Sequence, residues 1–459
     1  MLTAITGINW GDEGKGRMVD LISQEYDIVA RYQGGNNAGH TVKNERGKFV
    51  LNLLPSGILR SNVVCVMGNG MVIDPHHLDG EINKLREQGI EITPANLKIS
   101  DRATITMPYH VEQDGLEEAR LSKTGAQFGS TKRGIAYAYG DKYMKKTLRM
   151  GDLLHLDDAV KKRLVTMVDS KNLVMEGSYN AAPISVDEMW AWLEKYAAIF
   201  KDYICDVGQY LADADAAGKK VLFEAQLGAL RDIDFGIYPY TTSSNVIGAY
   251  APIGAGIPGH KLHNSIGVMK AYSSCVGDGP FVTELAMTEE EKHALREAGH
   301  EYGAATGRPR RVGPQSILVA SRYGVFCQGC DEVALDPAGR AELHGEDPHG
   351  HRLQAGRRHH HHPLPHGRGA GYRAACGRVP ARLALRHHRC PQVGGSAQEA
   401  QAYVEHLVKR RSAARSPISR SAQSARLISI ASDPLCFPGP QSKRKRHICL
   451  ISLPTVPVI

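Results

Sequence analysis

Gly7-Ile-Asn-Trp-Gly-Asp-Glu-Gly-Lys-Gly16 is the stretch that decides the fold. It follows a short apolar run, Leu2 to Thr6, and so reads as a glycine-rich turn from a strand into a helix. In such a turn, backbone N–H groups and the positive end of the helix converge on an anion, phosphate above all. Lys15 supplies a point charge. The spacing is longer than in a Walker A loop, and Gly16 stands where that motif has Ser or Thr. A magnesium ion would then need another hard oxygen, and Asp12 inside the loop is the available one.

Outward from the loop, the chain alternates short apolar strands with amphipathic helices, the pattern of an α/β enzyme. Asp27 to Arg31, Val63 to Met67 and Val221 to Phe223 are further strand candidates beside Leu2 to Thr6. Apolar residues at helical spacing (Met189, Trp192, Tyr196, Ile199, Ile204) predict helix over Val186 to Ala216, in one or two pieces. No run approaches the roughly 18 apolar residues of a membrane span, and no basic-then-apolar leader opens the sequence, so the expectation is a cytoplasmic enzyme. Nine scattered cysteines make a poor disulfide framework. Cys327-Gln-Gly-Cys330 lacks a second pair at zinc spacing and reads as two ordinary thiols.

The net charge of +8 is unevenly spread. From Asp336 onward there are 20 Lys+Arg against 7 Asp+Glu, whereas residues 1–335 carry 36 against 41. Of those 20 basic residues 17 are Arg, set among His, Gly, Pro and Ala with almost no apolar periodicity. A GC-rich gene read out of frame yields this bias. Codons for Ala338 to Pro348, shifted by one base, allow Leu-Asp-Val-Leu-Ser-Tyr-Met-Glu-Lys-Ile-Pro, and Pro380 to Gly395 shift in the same way. Gln398 to Arg410 returns to frame as a helix, and Leu427 to Ile459 lies past the authentic stop on this reading. Residues 1–335 are therefore taken as one large domain and 336–459 as a disordered or non-native tail. The tail's His359 to His362 and Lys443 to Arg446 then carry no metal or nucleic-acid function, and a basic nucleic-acid-binding protein is set aside.

The loop is followed by Gln33-Gly-Gly-Asn-Asn-Ala-Gly-His-Thr41, and this pair of motifs resembles the adenylosuccinate synthetase family. Further matching stretches are Gly129 to Gly134, Phe223-Glu-Ala-Gln226, Tyr238 to Asn245, Val276 to Phe281 and Gly303 to Arg311. The resemblance implies a P-loop-NTPase-related fold with a mostly parallel sheet flanked by helices. It implies GTP-dependent ligation of IMP and L-aspartate with Mg²⁺, in a homodimer. Asp12 is then the general base, His40 the donor to the transferred phosphate, and Lys15 the phosphate-binding cation. Gly11, Glu13, Gly14, Lys15, Gly16, Gly39, His40 and Thr41 would line the GTP phosphates, with Asp12 and the Gly39 carbonyl on the metal. Asn37, Thr131, Gln226, Thr242 and Arg310 would hold IMP, joined by Lys145 reaching across the dimer. Thr306 and Arg308 would hold the aspartate, where an arginine fork suits a dicarboxylate. One departure is serious. Asp336-Pro-Ala-Gly339 stands where the family has Thr-Lys-Leu-Asp, whose lysine and aspartate recognise guanine, so the non-enzymatic relic is the alternative reading.

Overall fold

The computed structural model describes residues 1–44, 47–126, 129–270, 272–303, 307, 309–314, 324–336, 426–430 and 448–451. Its centre is a sheet whose strands, numbered in chain order, are β1 (Leu2–Gly7), β2 (Ile28–Arg31), β3 (Val64–Met67), β4 (Leu97–Ser100), β5 (Ile204–Cys205), β6 (Val221–Gly228), β7 (Asn264–Lys270), β8 (Glu332–Asp336), β9 (Arg426–Ile430) and β10 (Ile448–Ile451). They lie side by side in the order β10-β9-β8-β7-β1-β6-β2-β3-β4-β5, parallel throughout except where β9 meets β10. The chain moves outward from β1 in both directions, so the crevice beyond the C-terminal end of β1 is where such a sheet binds ligands. That is where the glycine loop sits.

Every residue of β1 is buried, as expected of a parallel strand covered on both faces. Alternation divides the core. Leu2, Ala4, Ile28 and Ala30 pack with Val207, Leu211, Ala251 and Ala255 on one face. Ile5, Val29, Cys65 and Met67 pack with Met18, Leu78, Leu164, Leu193 and Phe200 on the other. The four strands expected from the sequence are all present.

The stretch read as helix from Val186 to Ala216 is two helices, Val186–Phe200 and Val207–Ala216, with β5 between them. Ile204 and Cys205 pair with Ile99 and Ser100, and the Asp206 side chain accepts from Gln209 N at 3.0 Å to start the second helix. Two residues of edge strand are too short to break a helical period, so only the cap betrays the interruption.

β6 carries an irregularity that bears on the site. Ile5 pairs with Glu224 but Gly7 pairs with Gly228, and Leu227 takes φ 58°. A left-handed leucine costs roughly 1–2 kcal/mol, and such bulges cluster beside active sites.

At the opposite edge, β9 and β10 come from the stretch expected to carry no regular element. Leu427 to Ile430 and Ile448 to Ile451 are short apolar runs, and the main chain of an extended run can extend an open sheet edge whatever its side chains. The rest of the tail, with His359 to His362 and Lys443 to Arg446, lies outside the described residues.

Candidate active site

Three left-handed residues, Gly11, Asp12 and Gly14, turn the chain from β1 into the helix Lys15–Ile22. The turn wraps around a carboxylate of its own. Glu13 accepts from Asn9 N at 3.0 Å and Gly11 N at 2.8 Å, and from Lys15 Nζ at 2.8 Å. Glu13 and Lys15 are both buried. Glu13 thus enters the phosphate loop as an acceptor for the loop's donors, a role the sequence reading did not give it.

Asp12 points the other way. Its carboxylate meets Arg310 Nε at 3.3 Å and remains partly exposed. Arg310 also donates to Glu301 at 2.8 Å, and Glu301 accepts from Lys270 Nζ at 2.6 Å and from the Tyr272 hydroxyl. Burial alone would lower the Arg310 pKa, but the Asp12 and Glu301 charges outweigh it and raise it. Burial would likewise raise the Glu301 carboxyl, and Lys270 and Arg310 hold it below its ordinary range instead.

His40 opens the hairpin strand His40–Asn44 and is buried against the start of the loop helix, where a Cβ on Gly16 would lie 3.0 Å from its own Cβ. Its Nδ1 lies 2.5 Å from Glu224 Oε1. Glu224 also accepts from Ser56 N and Oγ, each at 2.7 Å. The fully buried Arg31 guanidinium stands 3.2 Å from the same histidine. Burial would raise the Glu224 carboxyl, yet the His40 hydrogen bond, His40 and Arg31 charge and Ser56 hold it down to about 2. It is an anion at neutral pH. Burial pushes the His40 imidazole below its ordinary value, and Arg31 adds to that. The ring is therefore oriented by a fixed carboxylate, the arrangement that sets tautomer and direction in catalytic histidines.

The segments expected to hold a nucleotide gather around Gln33 to Asn37. Gln226 is wholly buried beneath them, its amide donating to Gly35 O at 2.7 Å and Asn52 O at 3.2 Å. Ser244 donates to Gln33 Oε1 at 3.0 Å, tying in the segment that carries the half-buried Thr242. Asp232 shapes that segment by accepting from Asp234 N and Val246 N. Tyr139 accepts from Gly34 N at 2.8 Å and donates to Gly70 O, which fixes the helix Ile135–Met144 under the loop. Asp114 accepts from Ser130 and from Gly134 N, holding the loop in which Thr131 is exposed. The side-chain oxygens of Asn36, Asn37 and Gln226 are buried and find no hydrogen-bond partner among the described residues. Such orphaned acceptors await a donor. Lys145 stands exposed and left-handed at the C-terminal end of the helix Ile135–Met144. Gly39 is half-buried and Thr41 exposed, on either side of His40. Thr306 and Arg308 lie outside the described residues.

Among the described residues no group of three or more His, Cys, Asp or Glu could cage a metal, the Cys327–Cys330 pair included. A magnesium ion held by one carboxylate, a carbonyl and substrate phosphates needs no such cage, and the partly exposed Asp12 carboxylate is a hard oxygen of the kind such an ion takes.

Comparison with known proteins decides the kinship. The family profile described as adenylosuccinate synthetase matches residues 4–338. This chain belongs to the adenylosuccinate synthetase family. The enzyme of that name from Bacillus cytotoxicus is 46% identical over 332 residues, 72% of this chain and 76% of the relative. The one from Caldanaerobacter subterraneus is 42% identical over 334 residues, 73% of this chain and 77% of the relative. A solved structure of the fully ligated adenylosuccinate synthetase from Plasmodium falciparum is 36% identical and superposes with a TM-score of 0.67, covering 72% of this chain and 76% of that one. The similarity ends where the composition of the chain changes.

Glu224, Arg31 and Ser56, which surround His40, were not singled out by the sequence reading. The signal was present for two of them. Arg31 ends one apolar strand and Glu224 interrupts another, and a charge inside a buried parallel strand must be paired.

Proposed function

We propose that this chain joins IMP to L-aspartate at the expense of GTP. The observation that carries the reading is the phosphate loop, in which Lys15 and two backbone N–H groups already enclose an anion beside Asp12 and the oriented His40. Asp12 takes the N1 proton of the hypoxanthine, and the electron density moved to O6 attacks the γ-phosphorus of GTP, expelling GDP. Protonated as the polyphosphate brings negative charge beside it, His40 keeps its Nδ1–H on Glu224 and donates Nε2–H to the phosphoryl oxygens as charge grows on them. The aspartate amine then adds to C6 of 6-phosphoryl-IMP, and phosphate leaves with the C6–O6 oxygen.

Asn37, Gln226, Thr131 and Thr242 face IMP on this reading, which the unsatisfied oxygens of Asn37 and Gln226 support. Arg310 moves from Asp12 to the substrates, with Thr306 and Arg308 on the aspartate. Asp12 and the Gly39 carbonyl would hold Mg²⁺, which would supply charge neutralisation for the transferred group. The exposed Lys145, beside the exposed Tyr143 and Met144, supports a homodimer in which it serves the partner's IMP phosphate. Residues 336–459 are an out-of-frame tail, so the guanine end of the site is the deficient one. With IMP, aspartate, GTP and Mg²⁺, adenylosuccinate and GDP are expected in equal amounts, however slowly. GDP released without adenylosuccinate would leave a GTPase and refute the ligase reading.

A further inference from the structure

The phosphate loop contains an internal competitor. Glu13 occupies the cradle with both carboxylate oxygens engaged, by Asn9 N and Gly11 N on one side and Lys15 Nζ on the other. The fit is close. A Cβ on Gly7 would lie 2.5 Å from Glu13 Oε2, and one on Gly228 would lie 2.7 Å from Oε1. The two glycines, on adjacent paired strands, leave room that the carboxylate fills. Its side chain is 3% exposed and that of Lys15 is 2% exposed.

We propose that Glu13 is a stand-in for phosphate, occupying the cradle while nucleotide is absent and expelled when a polyphosphate enters. The donors that hold it, two amide N–H groups and an ammonium, are those a phosphate oxygen would use. Two anions cannot share them, because like charges at contact in a buried site repel strongly. The exchange has two consequences. The loop is preformed when empty, since Glu13 keeps its N–H groups convergent and the buried Lys15 neutralised. Weak or singly charged anions also fail to displace it, so the loop selects for chains of phosphate. This rests on the reading of the loop as the GTP phosphate site.

The test uses the full chain and inorganic pyrophosphate, with binding measured by calorimetry. Glu13→Gln keeps the size and one acceptor of the side chain but removes the competing charge. It is expected to bind pyrophosphate roughly ten-fold more tightly, because charge-assisted hydrogen bonds are about twice as strong as neutral ones. Equal or weaker binding by a folded variant would overturn the stand-in and make Glu13 a structural brace. A second measurement needs no variant. Carboxylate footprinting of the unaltered chain with carbodiimide and glycine ethyl ester should leave Glu13 unlabelled when alone and label it at saturating pyrophosphate. Protection at saturation contradicts the exchange even if the variant fails to fold. If pyrophosphate binds neither protein, the phosphate-site reading falls first and the stand-in with it.

Discussion

Restoring the reading frame after Leu335, so that Thr-Lys-Leu-Asp replaces Asp336-Pro-Ala-Gly339, is expected to raise kcat/KM for GTP by roughly two to four orders of magnitude. The parallel strands of the sheet present their C-terminal ends to one edge, and β8 runs beside β7 and ends at Asp336. Asp336 therefore lies at the same end of the sheet as the C-terminus of β1, which delivers the phosphate loop. Relatives are expected to place their guanine-recognising lysine and aspartate there, and this chain has Pro337-Ala338-Gly339. Guanine buried without an acceptor for its N1 and N2 hydrogens loses about 1–3 kcal/mol for each unpaired donor, and about 1.4 kcal/mol is ten-fold. Steady-state rates with GTP and with ATP check this. The frame-restored chain should prefer GTP strongly, the chain as it stands should discriminate little, and equal constants for the two chains would refute the account of the tail.

The second large effect is expected at Glu224. In the frame-restored chain, Glu224→Gln should lower kcat about a hundred-fold or more while leaving KM for IMP nearly unchanged. The substitution keeps the shape of the side chain, but it exchanges a fixed anion 2.5 Å from His40 Nδ1 for an amide that can present an N–H to the ring. The imidazole then loses the partner that sets its tautomer. It also loses the negative charge that offsets the buried Arg31 beside it. A double-mutant cycle with His40→Ala separates this from general damage. If Glu224 acts through His40, adding Glu224→Gln to His40→Ala should cost little more, whereas additive losses would mean that Glu224 works elsewhere.

Much of this was legible in the letters because it rests on local chemistry. A glycine loop between an apolar strand and a helix announces both the sheet and its anion site, and the loop does lie at the C-terminal end of β1. The change of material after Leu335 was legible from charge alone, and the family match ends at residue 338. What escaped depends on contacts distant in sequence. β4 and β5 are short strands whose partners are each other and β3, so neither carries enough period to be seen alone. The Glu224–His40 pair joins residues 184 apart, and the Arg310 bridge from Asp12 to Glu301 closes only when β1 and β7 lie side by side. Glu13 was read as part of a phosphate-binding string, since sequence shows that an acid lies in the loop but not that it turns inward.

On the proposed mechanism, O6 of IMP is activated by phosphoryl transfer before aspartate attacks. The direct measurement is the fate of ¹⁸O placed at that oxygen, followed in the frame-restored chain with GTP and aspartate. The label is expected in the inorganic phosphate released, one atom for each adenylosuccinate formed. Label found in water, with unlabelled phosphate, would contradict it and place GTP hydrolysis apart from the chemistry at C6.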